Sequence, residues 1–562
     1  MNHIKNSRYE EDGMSEMSKL QLTLEQKIGQ MVMCGFATTE VNDNIRSLIK
    51  EHHVGGIIYF KRNVVNKEQV SALSHHLQEI SGEQTNIPLF ISIDQEGGMV
   101  ARIDWEDITL IPGNMTIGAT RSAEHAYEAA RICGEEMLRL GINMNFAPSL
   151  DVNNNPENPV IGVRSYSERP DLVAELGTAQ IRGLQEANVA ATAKHFPGHG
   201  DTAVDSHHGL AAVTHDEERL VAVELAPFAR AIQEGVDCIM TAHVIFPAFE
   251  PDSIPATLSH NVLTKLLRHR MGYDGLIVTD CLEMHAISKE VGVAEGAVRA
   301  VEAGADILLV SHTYEEQVAS IQALCEAVRT GRIAESRIDE SIDRIITLKN
   351  KRHMGEETEF PEDFASYFAT PESKALVDRM FEDSTTLVKD EAGALPLDRI
   401  AKTLVIWPQV RNRSEVDDLI VQEYTLASAL QPHMNDVELL RINNDPDSVE
   451  VEEILASTEG YSQIVILTYN PVSKLHQGQV DVVNALLARS NTRVIVASTR
   501  NPYDLNQFPD VPTYLCCYEN RPAAMKALGN VLLGLQEPKG KLPVTISEQY
   551  PFGHSASYAK QQ

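Results

Sequence analysis

The sequence predicts an α/β protein, a (β/α)8 TIM-like barrel followed by a smaller α/β sandwich domain. Three observations lead there. Eight apolar runs of strand length alternate with amphipathic helical stretches from about Thr23 to Lys351, the rhythm of a parallel sheet wrapped by helices. Chemistry-bearing side chains close several of those runs, and the carboxyl ends of strands are where a barrel gathers its site. The alternation then stops over a turn-rich interval and resumes, in a chain whose 562 residues are too many for one compact core.

Taken in order, residues 1–20 mix Lys, Arg, Glu and Asp around no apolar segment. They read as a tail rather than a secretory or lipoprotein signal, which makes the cytoplasm the expected location. Thr23-x-x-Gln26 has the form of a capping box that opens the first helix. Strands are expected at 30–34, 55–60, 89–94, 144–150, 191–195, 238–242, 276–280 and 307–311. Helices lie between them, among them 123–139 and 215–234, the second opened by Thr214-x-x-Glu217. Eight strands of one hand suit a closed barrel better than an open sheet. No Gly-rich phosphate fingerprint follows the first strand, which argues against a dinucleotide-binding domain. The barrel is thus assigned to 21–351 and a linker to 352–372, where His353-Met354-Gly355-Glu356-Glu357 and Pro361-Glu362-Asp363 are polar and turn-forming. A second strand series at 403–407, 438–442, 464–468, 494–498 and 513–517 defines a C-terminal α/β domain over 373–562.

Composition narrows the partners. Forty-eight Lys and Arg against 80 Asp and Glu leave a net charge of −32, which repels nucleic acid and anionic membrane. Hydrophobic residues make up 43% and aromatics 6%, as in a soluble globular chain, and no apolar stretch reaches the roughly 20 residues of a membrane span. The seven cysteines show no C-x-x-C spacing, so they read as reduced, buried thiols rather than a zinc site.

The candidate site follows from the strand ends. Asp94 closes Leu89-Phe90-Ile91-Ser92-Ile93, and Asp280 closes Leu276-Ile277-Val278-Thr279. Lys194 and His195 end an apolar run ahead of Phe196-Pro197-Gly198-His199-Gly200-Asp201. A strand-end Asp280 can serve as nucleophile, ligand or substrate anchor, or equally as the N-cap of the next helix. Asp94, with Arg102 close behind, suits recognition of neighbouring hydroxyls, since a carboxylate accepts two hydrogen bonds; an internal ion pair is the plainer reading. Asp205 stands two residues before His207, a spacing that lets a carboxylate orient an imidazole for proton exchange, or that simply occurs on a solvated loop. The histidines 195, 199, 207, 208 and 243 raise the question of metal, but the first strand end carries no His pair, so no catalytic metal is expected. Cys281 has no evident His partner, which disfavours a thiol nucleophile.

These segments together resemble glycoside hydrolase family 3, in its β-N-acetylglucosaminidase (NagZ-like) branch and in the two-domain form typical of Gram-positive bacteria. The resemblance rests on Asp94-Gln95-Glu96-Gly97-Gly98 with Arg102, the stretch from Pro148 to Arg164, Lys194-His195-Phe196-Pro197-Gly198-His199-Gly200 with Asp205-Ser206-His207, and Thr279-Asp280. It extends through Thr385-Thr386-Leu387-Val388-Lys389-Asp390, Arg500-Asn501-Pro502-Tyr503-Asp504 and Gly540-Lys541-Leu542-Pro543-Val544. The resemblance implies that Asp280 is the nucleophile of a retaining hydrolysis and that His207, oriented by Asp205, is its acid/base. It implies that Asp94, Arg102, Arg164, Lys194 and His195 bind a terminal N-acetylglucosamine, with His243 lining the pocket. Implied substrates are β-GlcNAc glycosides, meaning GlcNAc–MurNAc fragments or chitooligosaccharides, and no cofactor is needed. Cys281 departs from the Asp or Ser expected after the nucleophile. Three other readings stay open: a phosphorylase using phosphate in place of water, a β-glucosidase or xylosidase of the same family, and a non-catalytic sugar-binding protein. The oligomeric state is not legible.

Overall fold

A computed structural model describes residues 21–203, 210–355, 363–409, 422–470, 474–489 and 492–558. Eight parallel strands form the first sheet: β1 (Val32–Cys34), β2 (Gly56–Tyr59), β3 (Phe90–Ile93), β4 (Met144–Asn145), β5 (Ala190–Phe196), β6 (Cys238–Thr241), β7 (Leu276–Val278) and β8 (Leu308–Val310). Their spatial order is β7-β6-β5-β4-β3-β2-β1-β8, and the bridge between Val278 and Ile307 joins the two ends. This is the expected barrel. Its strands are almost wholly buried, as continuous apolar runs under a helical jacket require.

Several boundaries differ from expectation for physical reasons. The run 144–150 shrinks to Met144–Asn145 because Pro148 has no N–H to give the ladder. Residues 30 and 31 close the first helix, Leu24–Gln30, which Thr23 caps in the expected box with Gln26. The helix expected at 215–234 is two helices, Glu217–Ala222 and Leu225–Gln233. Pro227 could not donate across the junction, whereas at the third position of a new helix its missing N–H costs nothing. Asp216 caps the first of the pair by accepting from the Arg219 amide at 2.8 Å, so Thr214 is not the cap.

The second sheet comprises β9 (Thr386–Asp390), β10 (Thr403–Gln409), β11 (Val437–Asn443), β12 (Gln463–Thr468), β13 (Arg493–Ser498) and β14 (Thr513–Cys516), in the order β9-β14-β13-β12-β10-β11. All pairs are parallel except β9 with β14. Its strands bury alternate residues in two different cores. Leu404, Ile406, Ile464, Ile466, Val494 and Val496 join one cluster, while Val405, Trp407, Val465, Leu467, Ile495 and Ala497 join the other. Period-two alternation between two apolar faces is how a central sheet is sandwiched by helices. Barrel residues Met99, Met115, Ala119 and Val163 enter the first of these clusters, so the two domains share apolar packing.

Candidate active site

β3, β5 and β7 deliver side chains to one end of the barrel. Asp94 follows β3 directly, and its Oδ1 accepts from Lys194 Nζ of β5 at 2.7 Å. Lys194 also meets Glu96 Oε1 at 2.7 Å. Glu96 lies in a short ribbon that pairs Gln95–Gly97 with Val100–Ala101. Its carboxylate takes a two-pronged grip from Arg164, Nε to Oε2 at 2.9 Å and Nη2 to Oε1 at 2.7 Å. Arg164 ends the tight turn Gly162–Arg164, and Arg102 follows the ribbon, 9% exposed. The plainer expectation for Asp94, an internal ion pair, is thus met by Lys194.

The charges in this network hold one another. Burial alone would raise the Glu96 pKa, but Arg164 and Lys194 keep it well below the usual carboxylate range. Burial would likewise lower the Lys194 pKa, yet Asp94 and Glu96 lift it above the ordinary ammonium value. Each group is therefore ionised at neutral pH. Fixed charges with spare donors and acceptors beside the partly exposed Asp94 carboxylate suit sugar hydroxyls.

His195, also on β5, is held by Asp151, whose Oδ2 lies 2.7 Å from Nδ1. The other oxygen of Asp151 accepts the backbone amides of His195 and His199 at 3.3 and 2.6 Å. That bond places the Nδ1 proton toward Asp151 and makes Nε2 the acceptor of the neutral ring. The pKa of Asp151 is held below the carboxylate range by the His195 ring, against the effect of burial.

His199, 2% exposed, shares Nδ1 with Thr202 Oγ1 at 2.9 Å. Burial and the neighbouring His195 lower its pKa from 6.5 to about 4, although Asp151 and Asp280 pull the other way. Below pH 6.5 the unfolded chain therefore binds more protons than the folded one. Stability is complete above pH 6.5 and falls as pH drops toward 4, by up to about 3 kcal/mol from this ring at 1.36 kcal/mol per unit. Urea midpoints measured from pH 7 to 4.5 should fall more steeply for the natural chain than for His199→Gln; parallel profiles would refute this.

Asp280 lies two residues beyond the end of β7 and is partly exposed. Its Oδ1 accepts the Cys281 amide at 2.7 Å. The next helix, His285–Ser288, begins after Met284, so Asp280 is not an N-cap. The loop is fastened on both sides. His243, fully buried, sits with Nε2 2.9 Å from the Cys281 carbonyl and Nδ1 2.7 Å from Thr257 Oγ1. Glu283 accepts the amides of His312 and Thr313 at 2.6 and 3.0 Å. His243 thus braces the Asp280 loop from beneath, where the sequence reading put it on the pocket wall. Residue 281 contributes its backbone, while burial pushes its thiol up to about 11, which keeps it protonated at neutral pH.

Asp205 and His207 lie outside the described residues. The chain on either side is anchored: Asp201 Oδ2 lies 2.5 Å from His215 Nε2, and Ala211–Ala212 pairs with Val244–Ile245 beside His243. Asn158 holds the carbonyls of His199 and Gly200, each at 2.9 Å. The second domain reaches the same region, where Tyr503 OH accepts from Asn153 at 3.0 Å and Lys474 pairs with Glu157 at 2.9 Å. Gly162, at φ +43°, is needed where Asn501 Oδ1 would come within 2.6 Å of a Cβ. Among the described residues no three His, Cys, Asp or Glu side chains converge as a metal site. No helix of the described chain is long and apolar enough to cross a membrane.

Residues 23–348 match the profile described as Glycosyl hydrolase family 3 N terminal domain, and residues 385–560 match Glycosyl hydrolase family 3 C-terminal domain. A solved family 3 β-N-acetylglucosaminidase from Paenibacillus sp. str. FPU-7 superposes with a TM-score of 0.91 at 52% identity, over 94% of this chain and 99% of that one. Beta-hexosaminidase A of Pseudoalteromonas piscicida is 33% identical over 94% of this chain and 98% of its own. A β-glucoside phosphorylase has the same fold, with a TM-score of 0.83 at 22% identity over 97% of this chain and 98% of that one.

Proposed function

This chain belongs to glycosyl hydrolase family 3 and is a glycoside hydrolase; from that premise we propose that it removes terminal N-acetylglucosamine from β-GlcNAc glycosides with retention. The observation that carries the proposal is the placement of Asp280, partly exposed, at the same barrel end as the Asp94–Lys194–Glu96–Arg164 network. Likeness to the β-N-acetylglucosaminidase and the β-hexosaminidase along nearly the whole chain supports the sugar.

In the proposed reaction the Asp280 carboxylate attacks the anomeric carbon as the bond to the leaving oxygen breaks. His207, oriented by Asp205, gives that oxygen its proton. The resulting glycosyl ester of Asp280 is cleaved by a water whose proton returns to His207, releasing the sugar with its original configuration. An imidazole adds no second negative charge next to the ester. Arg164, Lys194, Asp94, Arg102 and His195 would hold the sugar, and His243 would keep the attacking loop in place. Natural substrates would be GlcNAc–MurNAc fragments or chitooligosaccharides. A cytoplasmic setting fits the seven free thiols.

The test is a turnover panel of aryl β-GlcNAc glycosides with graded leaving groups, aryl β-glucoside and GlcNAc–MurNAc, with and without phosphate. Release of free GlcNAc, unaffected by phosphate, is expected, with aryl β-glucoside turned over at least about tenfold more slowly. His207→Ala should lose most on the poorest leaving groups, which alone need an acid. Accumulation of GlcNAc-1-phosphate would replace hydrolysis with phosphorolysis. Equal losses across leaving groups would remove His207 from the acid role.

A further inference from the structure

The second domain sends one loop against the sugar-binding network, and its central residue is Glu519. The loop leaves β14 through Tyr518, whose φ of +62° turns the chain sharply. Glu519 is 1% exposed. Its Oε1 accepts the Gly113 amide at 2.9 Å and the Thr116 hydroxyl at 2.6 Å. Two residues on, Arg521 donates Nε and Nη2 to the Gly98 carbonyl, both at 3.0 Å.

These contacts fall on the two segments that frame the network. Gly98 is two residues from Glu96, and Asn114, next to Gly113, donates to the Arg164 carbonyl at 2.7 Å. The segments touch so closely that a Cβ on Gly98 would lie 2.7 Å from Gly113 Cα and 3.4 Å from Glu519 Oε1. A narrow cavity is walled jointly by Glu96, Gly98, Asn114, Thr116, Arg164 and Glu519. Glu519 Oε2, which is buried, has no hydrogen-bond partner among the described residues. A buried carboxyl oxygen left so is costly if its only purpose is to join two domains. The arrangement makes sense if Oε1 is placed for what it holds.

We propose that Glu519 is a positioning residue for the sugar subsite: by holding Gly113 and Thr116 it sets where Arg164 and Glu96 stand. The proposal rests on the reading of the Asp94–Lys194–Glu96–Arg164 network as the site that binds the sugar. It makes the second domain part of sugar recognition without any of its atoms touching the sugar. Both contacts of Glu519 use one acceptor oxygen, so a glutamine can reproduce them, whereas an alanine cannot.

The experiment uses the full chain as natural protein, Glu519→Gln, Glu519→Ala, Thr116→Val and Lys194→Ala, all below their melting temperatures. Calorimetry gives the Kd for GlcNAc, and an aryl β-GlcNAc substrate gives kcat and KM. Glu519→Ala should raise Kd and KM about tenfold with kcat changed less than threefold, since an interaction common to ground and transition states is lost. Thr116→Val should do the same by about threefold, and it serves if the alanine variant fails to fold. Glu519→Gln should stay within twofold of the natural protein. A lowered melting temperature with Kd and KM unchanged in both Glu519→Ala and Thr116→Val would overturn the proposal, as would a glutamine variant as impaired as the alanine one. Lys194→Ala separates the two ideas: if it leaves Kd unchanged, the reading of the network as the sugar site fails instead.

Discussion

Asp280→Asn should lower kcat on an aryl β-GlcNAc substrate by at least about 10⁴-fold, equivalent to about 5.4 kcal/mol of lost transition-state stabilisation. An amide oxygen is nearly isosteric with the carboxylate but is a far poorer nucleophile, so the covalent step fails while the shape survives. The fold has no reason to change. Asparagine keeps an Oδ1 that accepts the Cys281 amide, and the side chain is partly exposed. Melting temperature and GlcNAc affinity should therefore stay close to those of the natural chain. A variant with more than about a tenth of natural kcat would show that the chemistry lies elsewhere on the barrel rim. The neighbouring thiol would not take over, because Cys281 stays protonated near neutral pH.

Glu96→Ala produces the second large effect, on stability and binding together. Arg164 and Lys194 side chains are 6% and 2% exposed, and both rely on Glu96 for countercharge. Removing one partner of a buried pair leaves an uncompensated charge, at a cost of about 3–5 kcal/mol. Asp94 would remain as Lys194's partner, which places the expected loss at the lower end of that range. The pH dependence has a definite sign. The folded Glu96 pKa is depressed from 4.5, so its contribution is present above pH 4.5 and is lost as pH falls toward the folded value. Urea unfolding of the barrel should show the Glu96→Ala deficit in full at pH 7 and a smaller one near pH 3. KM should rise in parallel. A deficit that does not shrink with acid would mean that the side chain acts through packing rather than charge.

Much of the site was legible because each member ends an apolar run. Asp94 and Asp280 stand just past the end of a buried strand and Lys194 two residues before the end of another, and a barrel strand stops at its rim. Glu96 was passed over although it stands within the quoted Asp94–Gly98 segment. Its spacing of two from Asp94 in extended chain was the available signal. Asp151 gave none, since its histidine partner lies 44 residues away. The family resemblance put His243 on the pocket wall, and the structure buries its ring fully, with Nε2 2.9 Å from the Cys281 carbonyl. In the second domain, Thr386–Asp390 was recognised as a segment but not as a strand, because its partner β14 closes the sheet from the other end of the domain.

The chain's order of apolar runs, helical stretches and turns determines the barrel, the second α/β domain and the strand ends that bear chemistry. Those properties are local, set by side-chain periodicity of two or 3.6 and by what caps or breaks each element. The tertiary structure alone decides which charge meets which: Lys194 with Asp94 across 100 residues, Arg164 with Glu96 across 68, and Glu519 with Thr116 across 403. A buried ion has to be matched by whatever stands within a few ångströms once the sheet has closed, and distance along the chain carries no trace of that distance.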